Sequence, residues 1–396
     1  MPEIAARLQQ TEEYYFSRKL REIEQMNRQG EKVINLGIGS PDLPPHPEVI
    51  AALCDHAQRP DVHAYQSYRG APALRQAISG WYRRYYQVDL DPESEVLPLI
   101  GSKEGIMHIC MTYLAEGDQA LIPNPGYPTY RSAVELSGAA CLEYQLSEAR
   151  DWLPDLDELA KKDLSRVKLM WVNYPHMPTG ARPGKGFFER LIAFATERDI
   201  LLCHDNPYSF ILNDRPESLL AVSGAREVAL ELNSLSKSGN MAGWRTGMLA
   251  GKAEFINNVL RFKSNMDSGM FLPVQMAAAK ALSLGPEWYH SLNETYAARR
   301  EKAFSLLDHL NCTYDRQQAG MFVWARIPKS YEDGYALSDA VLTSARVFIT
   351  PGGIFGSMGM PYVRISLCAT TETLDRAIDA IRRSNPERQG AGPGKV

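Results

Sequence analysis

The sequence predicts an α/β protein built on a mainly parallel β-sheet. Short, continuous apolar runs alternate with amphipathic helical patterns from about residue 74 to residue 250. This alternation is typical of parallel strands that are covered by helices on both faces. A different pattern follows, in which a long helix near residues 287–310 is succeeded by three strands and two further helices. The change indicates a second, smaller α+β domain.

Each predicted element has its own signal. Helices are predicted where apolar residues recur at helical spacing or where proline opens a segment. Strands are predicted where a short apolar run is bounded by turn residues. The predicted strands are residues 33–36, 96–100, 120–122, 141–144, 167–172, 200–204, 228–232, 247–250, 321–326, 347–350 and 362–366. The predicted helices are residues 14–28, 47–55, 74–86, 106–114, 129–137, 186–198, 287–310, 337–344 and 372–384.

Length and composition limit the class of protein. The chain of 396 residues is long enough for two domains. A net charge of −4 gives no reason to expect nucleic acid or an anionic membrane as partner. Scattered cysteines, a polar N-terminus and the lack of a membrane-length apolar run predict a cytoplasmic protein. The predicted division is an N-terminal arm with part of the small domain (1–45), a large domain (46–285), a small C-terminal domain (286–387) and a disordered tail (388–396).

One lysine is the leading candidate for covalent chemistry. Lys237 lies between two serines just after a predicted strand, and Arg245 follows eight positions later. Burial and a neighbouring cation favour the neutral amine, which is the form that attacks a carbonyl carbon. The serine hydroxyls and the planar Arg245 guanidinium are suited to binding a phosphate. On its own, the stretch is only suggestive, because most lysines are solvated surface charges.

Other polar residues follow predicted strands, which is where ligands collect in parallel sheets. Asp205 and Tyr208 follow the strand at 200–204, and Ser102 follows the strand at 96–100. Arg364 lies inside an apolar strand, so it requires an anionic partner. Each residue has a structural alternative: a turn cap for the aspartate and the serine, a half-buried ring for the tyrosine, and an internal salt bridge for the arginine.

Taken together and in this order, the motifs resemble those of class I/II aminotransferases, which are fold-type I pyridoxal-phosphate enzymes. The resemblance is closest to the branch of aspartate, alanine and LL-diaminopimelate aminotransferases, and it extends from Gly37 to about Arg382. It implies a mainly parallel seven-stranded sheet and pyridoxal 5′-phosphate as the cofactor. It also implies ping-pong amino transfer between an L-amino acid and a 2-oxo acid, with glutamate and 2-oxoglutarate as the common pair.

The resemblance implies a role for each matched residue and implies no metal. Lys237 matches the Schiff-base lysine, Asp205 the carboxylate beside the cofactor's ring nitrogen, and Tyr208 the phenol that donates to its O3′. Arg364 matches the arginine that binds the substrate α-carboxylate. The other implied cofactor contacts are Ser102, Lys103, Tyr127, Asn173, Ser234 and Arg245, joined by Tyr65 and Ser268 across a homodimer interface, and the implied substrate contacts are Gly39 and, unless it merely packs against the body, Tyr15 of the arm.

One position departs from the family's pattern. The family usually reads Asn-Tyr-Pro-Asn-Asn-Pro-Thr-Gly, whereas residues 173–180 read Asn-Tyr-Pro-His-Met-Pro-Thr-Gly. Met177 replaces an asparagine that donates to the cofactor's O3′, and a thioether cannot donate a hydrogen bond. We hypothesise that Tyr208 holds O3′, alone or aided by Asn173, His176 or water. The pKa of the cofactor–lysine imine should then be higher than in relatives that carry the asparagine.

Several alternatives remain open at this point. A β-elimination lyase or a 1-aminocyclopropane-carboxylate synthase would share the same motifs. Catalytically silent, cofactor-binding regulatory proteins usually carry a DNA-binding domain, and we expect no room for a helix-turn-helix domain ahead of Gly37. A Rossmann dehydrogenase is disfavoured because no GxGxxG follows an early strand. Aspartate, alanine, an aromatic amino acid and LL-diaminopimelate all remain possible donors, since neither Arg261 nor Lys263 matches a motif for a distal carboxylate.

Overall fold

The computed structural model describes residues 3–9 and 15–384, so the predicted tail at 388–396 and residue 14 of the first predicted helix lie outside the described residues. The strands are β1 (Ile34–Asn35), β2 (Val96–Leu99), β3 (Gln119–Asn124), β4 (Ala140–Gln145), β5 (Val167–Val172), β6 (Leu201–Asp205), β7 (Ala229–Ser234), β8 (Gly247–Gly251), β9 (Phe322–Arg326), β10 (Val347–Phe348), β11 (Thr350–Pro351) and β12 (Tyr362–Ser366). The helices are α1 (Ala6–Gln9), α2 (Tyr15–Arg28), α3 (Pro47–Ala57), α4 (Pro72–Tyr86), α5 (Ser102–Tyr113), α6 (Pro128–Leu136), α7 (Leu156–Ala160), α8 (Phe187–Arg198), α9 (Ala225–Val228), α10 (Leu235–Ser238), α11 (Ala253–Lys263), α12 (Leu272–Ser283), α13 (Pro286–His309), α14 (Gly334–Ala345) and α15 (Thr371–Ser384). None of these helices combines the length and the apolar character that a membrane span requires.

A seven-stranded sheet runs through the larger part of the molecule in the order β2-β8-β7-β6-β5-β3-β4. The pairs from β4 to β7 are parallel, whereas β8 runs antiparallel to both of its neighbours. The prediction of a mainly parallel sheet is therefore confirmed. Because β8 is reversed, its first residue Gly247 pairs with Ser234, the last residue of β7. The residues just before β8 thus join the edge at which the parallel strands end.

Helices cover both faces of this sheet. Successive side chains of a strand point to opposite faces, and the strand residues divide accordingly between two hydrophobic cores. Leu121 and Met170 pack in one core with residues of α3, α4, α8 and α12. Their neighbours Ala120 and Leu169 pack in the other with residues of α5, α6 and α11. Burial on both faces explains why these strands read as continuous apolar runs.

A second group of elements surrounds a smaller sheet. Strands β11, β12 and β9 form an antiparallel sheet, while β1 and β10 form a separate parallel pair. The prediction of one strand at 347–350 is wrong, because Ile349 separates β10 from β11 and the two pieces join different sheets. All of these residues are buried, so the apolar run gives no sign of the break. A third core joins this sheet to α13, α14 and α15. The predicted domain boundaries at 45 and 285 stay a prediction.

Candidate active site

The carboxyl edge of the large sheet opens into a cavity of about 470 Å³. Asp205 ends β6, Ser234 ends β7 and Asn173 follows β5, so three strands deliver a polar side chain to the same place. The cavity is lined by eleven of the fourteen predicted site residues: Gly39, Ser102, Lys103, Tyr127, Asn173, Asp205, Tyr208, Ser234, Lys237, Arg245 and Arg364.

Lys237 is presented to the cavity by the short helix α10. Its Nζ donates a hydrogen bond to the backbone carbonyl of Gly39 at 2.7 Å, which joins the large sheet to the segment that follows β1. Desolvation lowers the pKa of Lys237 below its ordinary value, and the nearby guanidinium groups of Arg364 and Arg245 act in the same direction. A lysine in this environment is more readily neutral and hence nucleophilic.

Asp205 is buried at the end of β6 with one carboxylate oxygen satisfied. Its Oδ2 accepts a hydrogen bond from the Tyr130 hydroxyl at 2.9 Å. Its Oδ1 has no hydrogen-bond partner among the described residues. Burial raises the pKa of the Asp205 carboxyl to about 6, and the hydrogen bond from Tyr130 partly opposes that rise. A buried carboxylate oxygen without a partner fits a cationic N–H group of a ligand.

Tyr130 is a site residue that sequence reasoning missed. It lies in the first turn of α6, three residues after Tyr127, which precedes the helix as its N-cap residue, and the two rings meet edge to face with centroids 5.7 Å apart. Its hydroxyl is fully enclosed and directed at Asp205. The spacing of two tyrosines at i and i+3 was the available signal, since such residues share one face of a helix.

The start of α5 and Arg245 together form an anion-binding recess. Gly101 has a left-handed φ of 85° and directly precedes α5. A Cβ atom at Gly101 would lie 2.3 Å from Arg245 Nη2, so only glycine allows the guanidinium this close to the helix N-terminus. Arg245 Nη1 lies 3.5 Å from the Ser236 hydroxyl. Backbone amides, a helix dipole and a guanidinium at one point favour a bound phosphate.

Arg364 on β12 is surrounded by aromatic rings and a thioether. Its guanidinium carbon lies 3.9 Å from the ring centroid of Phe322 and 4.7 Å from that of Phe355. Its Nη2 donates to the backbone carbonyl of Gly37 at 2.7 Å, and its Nη1 lies 3.4 Å from Met177 Sδ. This weakly polar surround strengthens the attraction of the guanidinium for a carboxylate.

The side chains near Met177 differ in whether they can donate a hydrogen bond to a ligand in the cavity. Asn173 accepts from the Met177 backbone N–H at 2.7 Å, and its amide group donates to the backbone carbonyl of Asp205. His176 is buried, and burial lowers its pKa to about 3, but it does not line the cavity. Tyr208 lines the cavity, and burial raises the pKa of its phenol. Of the hypothesised contacts to O3′, Tyr208 therefore has the most available donor.

Comparison with known proteins identifies the family. The model for "Aminotransferase class I and II" matches residues 31–381. The chain belongs to this family. It is 38% identical over 377 residues to an LL-diaminopimelate aminotransferase of Dehalococcoides mccartyi (strain CBDB1), covering 95% of this chain and 97% of that one. It is 42% identical over 380 residues to one from Desulforudis audaxviator (strain MP104C), covering 96% and 97%.

Solved structures agree with this assignment. Substrate-bound BacF from Bacillus subtilis superimposes with a TM-score of 0.92 at 37% identity, covering 97% of this chain and 98% of that one. A single mutant of Thermus thermophilus aspartate aminotransferase shares the fold, with a TM-score of 0.90 at 24% identity over 97% of this chain and 100% of that one. The protein is therefore a pyridoxal-phosphate-dependent aminotransferase of fold type I. The unpartnered Asp205 Oδ1 and the recess between Gly101 and Arg245 fit the ring nitrogen and the phosphate of that cofactor.

Three predicted site residues of this aminotransferase lie outside the cavity of their own chain. Tyr15 packs edge to face against Tyr335, with centroids 6.0 Å apart, and its neighbour Phe16 lines the cavity instead. Consecutive helical residues point about 100° apart, so one position decides which ring reaches the site. Tyr65 is 93% exposed, and Ser268 is also exposed. Neither touches the cavity from within the same chain.

A buried histidine–carboxylate pair lies directly behind Asp205 in the aminotransferase. His204 and Glu231 are opposite each other in β6 and β7, and both are fully buried. The His204 Nδ1 lies 2.8 Å from Glu231, and its Nε2 lies 3.0 Å from the backbone carbonyl of Tyr174. Glu231 also accepts a hydrogen bond from the Ser218 hydroxyl at 3.0 Å. Both ring nitrogens of His204 thus face hydrogen-bond acceptors. Burial raises the pKa of the adjacent Asp205 carboxyl, and the electrostatic interaction with His204 partly opposes that rise.

A second polar cluster lies on α5, beyond the anion-binding recess. Ligand atoms of Glu104, His108 and Asp267 come within 4.8 Å of one another. Lys263 pairs with Asp267 at 2.5 Å and His108 lies 2.7 Å from Glu104, so each carboxylate already has a partner within the protein. The cluster ties α5 to α11 and to the loop that carries Ser268.

Proposed function

We propose that this aminotransferase moves an amino group between an L-amino acid and 2-oxoglutarate by a ping-pong cycle. The observation that carries the proposal is that Lys237, Asp205 and Arg364 all line one cavity, and that Asp205 has a buried carboxylate oxygen without a hydrogen-bond partner among the described residues. When bound, pyridoxal phosphate supplies an aldehyde and an electron-withdrawing ring. The remaining tasks are binding, orientation and proton transfer by side chains of this chain.

Each of the three residues has a proposed task that suits its surroundings. Lys237 holds the cofactor and then acts as the base that takes a proton from the substrate Cα, for which a lowered pKa is an advantage. Asp205, once ionised, keeps a proton on the ring nitrogen. Arg364 binds the substrate α-carboxylate through two parallel hydrogen bonds. Tyr208 donates to O3′, and Ser102, Ser234 and Arg245 hold the phosphate.

The names of the relatives support LL-diaminopimelate as one candidate donor. The two aminotransferases described above are 38% and 42% identical to this chain over nearly its full length. The acceptor 2-oxoglutarate is an expectation from the family. Either member of a ping-pong pair must bind its α-carboxylate at the same arginine, so one variant tests both half-reactions.

The test measures glutamate formation from 2-oxoglutarate with a panel of L-amino acids. We expect Arg364→Lys to raise the KM for donor and acceptor by about 10- to 100-fold, because an ammonium group cannot form the bidentate pair. Arg226→Lys, which alters a partly exposed pair with Glu95, is the matched control and should leave both KM values unchanged. Pyruvate and ammonia released from cysteine conjugates without any oxo acid would indicate a β-elimination lyase instead. Bound cofactor without turnover would indicate a regulatory protein.

We also propose that the active enzyme is a homodimer whose sites are completed by Tyr65 and Ser268 of the second subunit. Two neighbouring loops carry the exposed apolar side chains of Tyr65, Tyr68, Met266 and Phe271. These loops touch, since the rings of His63 and Phe271 stack with centroids 5.7 Å apart. Exposed apolar side chains concentrated on one surface favour a protein interface.

Complementation between two inactive variants tests the shared site. Lys237→Ala and Tyr65→Ala each remove one part of every site in their own homodimers. Mixed dimers contain one site with both parts intact, so coexpression should restore roughly 25% of wild-type activity if half of the dimers are mixed. Mixtures that stay inactive while mixed dimers are detected would contradict this arrangement.

A further inference from the structure

Helix α2 brings apolar side chains to the mouth of the active-site cavity. Phe16 and Leu20 are four residues apart, so they lie on the same face of the helix, and both line the cavity. Helix α2 is held in place by apolar packing, because Phe16 and Ile23 belong to one hydrophobic cluster with Phe348 of β10. Lys19 adds an ion pair to Asp339 of α14 at 3.5 Å. This part of the cavity wall is therefore an ordered apolar surface.

This wall is close to the proposed α-carboxylate site. The guanidinium carbon of Arg364 lies 5.7 Å from the ring centroid of Phe16. A substrate whose carboxylate is at Arg364 and whose amino group is near Lys237 leaves its side chain to the rest of the cavity. The cavity lining also includes Phe16, Leu20 and Ile38, which are all apolar.

The charges in the cavity give a second, independent constraint. Among the described residues that line it, Asp205 is the one carboxylate, and it lies at the proposed ring-nitrogen position. Diaminopimelate carries both an ammonium and a carboxylate group at its distal end, and the ammonium group needs an acceptor or an anion when it loses its surrounding water. The described lining residues of one chain include no further carboxylate for this ammonium group.

We propose that the preferred amino donor carries a large apolar side chain, which packs against Phe16, Leu20 and Ile38. The proposal rests on the aminotransferase function proposed above and names the substrate class of the same site. Leu20 is 40% exposed although it lies at the cavity, so a bound apolar side chain would cover surface that is otherwise in water. A donor with a small side chain, such as alanine, would leave Leu20 uncovered.

The experiment compares donors and variants in the holoenzyme with 2-oxoglutarate as acceptor. The donors are L-phenylalanine, L-leucine, L-alanine, L-aspartate and LL-diaminopimelate, each measured by kcat and KM. We expect phenylalanine or leucine to have the highest kcat/KM. Leu20→Gln should lower kcat/KM for that donor by about tenfold, mainly through KM, and leave the value for alanine within about twofold. Ile50→Gln, which alters an aliphatic residue 38% exposed on α3, is the matched control and should change neither value.

Two results would overturn the inference while leaving the aminotransferase function intact. One is a higher kcat/KM for LL-diaminopimelate, aspartate or alanine than for both phenylalanine and leucine. The other is an equal change for phenylalanine and alanine in Leu20→Gln, because a general structural effect would act on both. If no amino acid yields glutamate, the proposed function itself fails and the donor preference falls with it.

Discussion

Replacing Asp205 by asparagine should stabilise the cofactor-free protein at neutral pH and inactivate the enzyme. Burial raises the pKa of the Asp205 carboxyl from 3.8 to about 6 in the folded state. The folded protein thus holds this proton more tightly than the unfolded chain does. The contribution of this proton to the free energy of unfolding is complete below about pH 4 and is lost as pH rises through about 6. A difference of about 2 pKa units corresponds to about 3 kcal/mol of unfolding free energy.

The assay is urea unfolding of the cofactor-free protein between pH 4 and pH 8. The free energy of unfolding of Asp205→Asn, relative to wild type, should increase by up to about 3 kcal/mol across that range. Asp379→Asn, which alters an exposed aspartate on α15, is the control and should differ from wild type by less than about 0.5 kcal/mol throughout. Saturating pyridoxal phosphate should reduce or reverse the difference in unfolding free energy between Asp205→Asn and wild type. A pH-independent difference between wild type and Asp205→Asn would refute the reasoning.

Three further predictions concern residues around this carboxylate. Tyr130→Phe removes the hydrogen bond that lowers the pKa of Asp205, so the acidic limb of the plot of kcat/KM against pH should move to higher pH. An unmoved limb would show that this hydrogen bond has no effect on the pKa of Asp205. Glu231→Gln leaves the buried His204 without its charge partner and should lower the free energy of urea unfolding by about 3 kcal/mol; a loss below about 1 kcal/mol would mean that the pair is not ionic. Met177→Asn introduces a donor near O3′ and should lower the pKa of the cofactor–lysine imine in a spectroscopic titration; an unchanged or higher value would reject the hypothesis.

Much of the large sheet and its site could be predicted because each strand and the polar residue at its end are adjacent in the sequence. The strands that deliver Asp205, Ser234 and Asn173 are buried on both faces, and such strands give continuous apolar runs that end where polar residues begin. The reversal of β8 could not be predicted in the same way. Strand direction depends on pairing with distant residues, and an apolar run has the same pattern in both directions.

The remaining differences arise where neighbours in space are distant in sequence. Tyr15 is the arm residue that the sequence predicts at the site, but the face of α2 that meets the cavity carries Phe16. This face is identified by the contact between Phe16 and Arg364, two residues that lie near opposite ends of the sequence. Tyr130 was missed because its partner Asp205 is 75 residues away. Sequence patterns identify which side chains can react, and the packing of helices decides which of them meet.

Borohydride reduction of the enzyme supplied with pyridoxal phosphate tests whether Lys237 forms the imine with the cofactor. Reduction fixes an imine as a stable secondary amine, and peptide mass mapping then locates the modified residue. We expect a single stoichiometric label on Lys237, the lysine of the cavity whose pKa is lowered by desolvation. A label on another lysine, or incorporation that Lys237→Arg does not abolish, would contradict it.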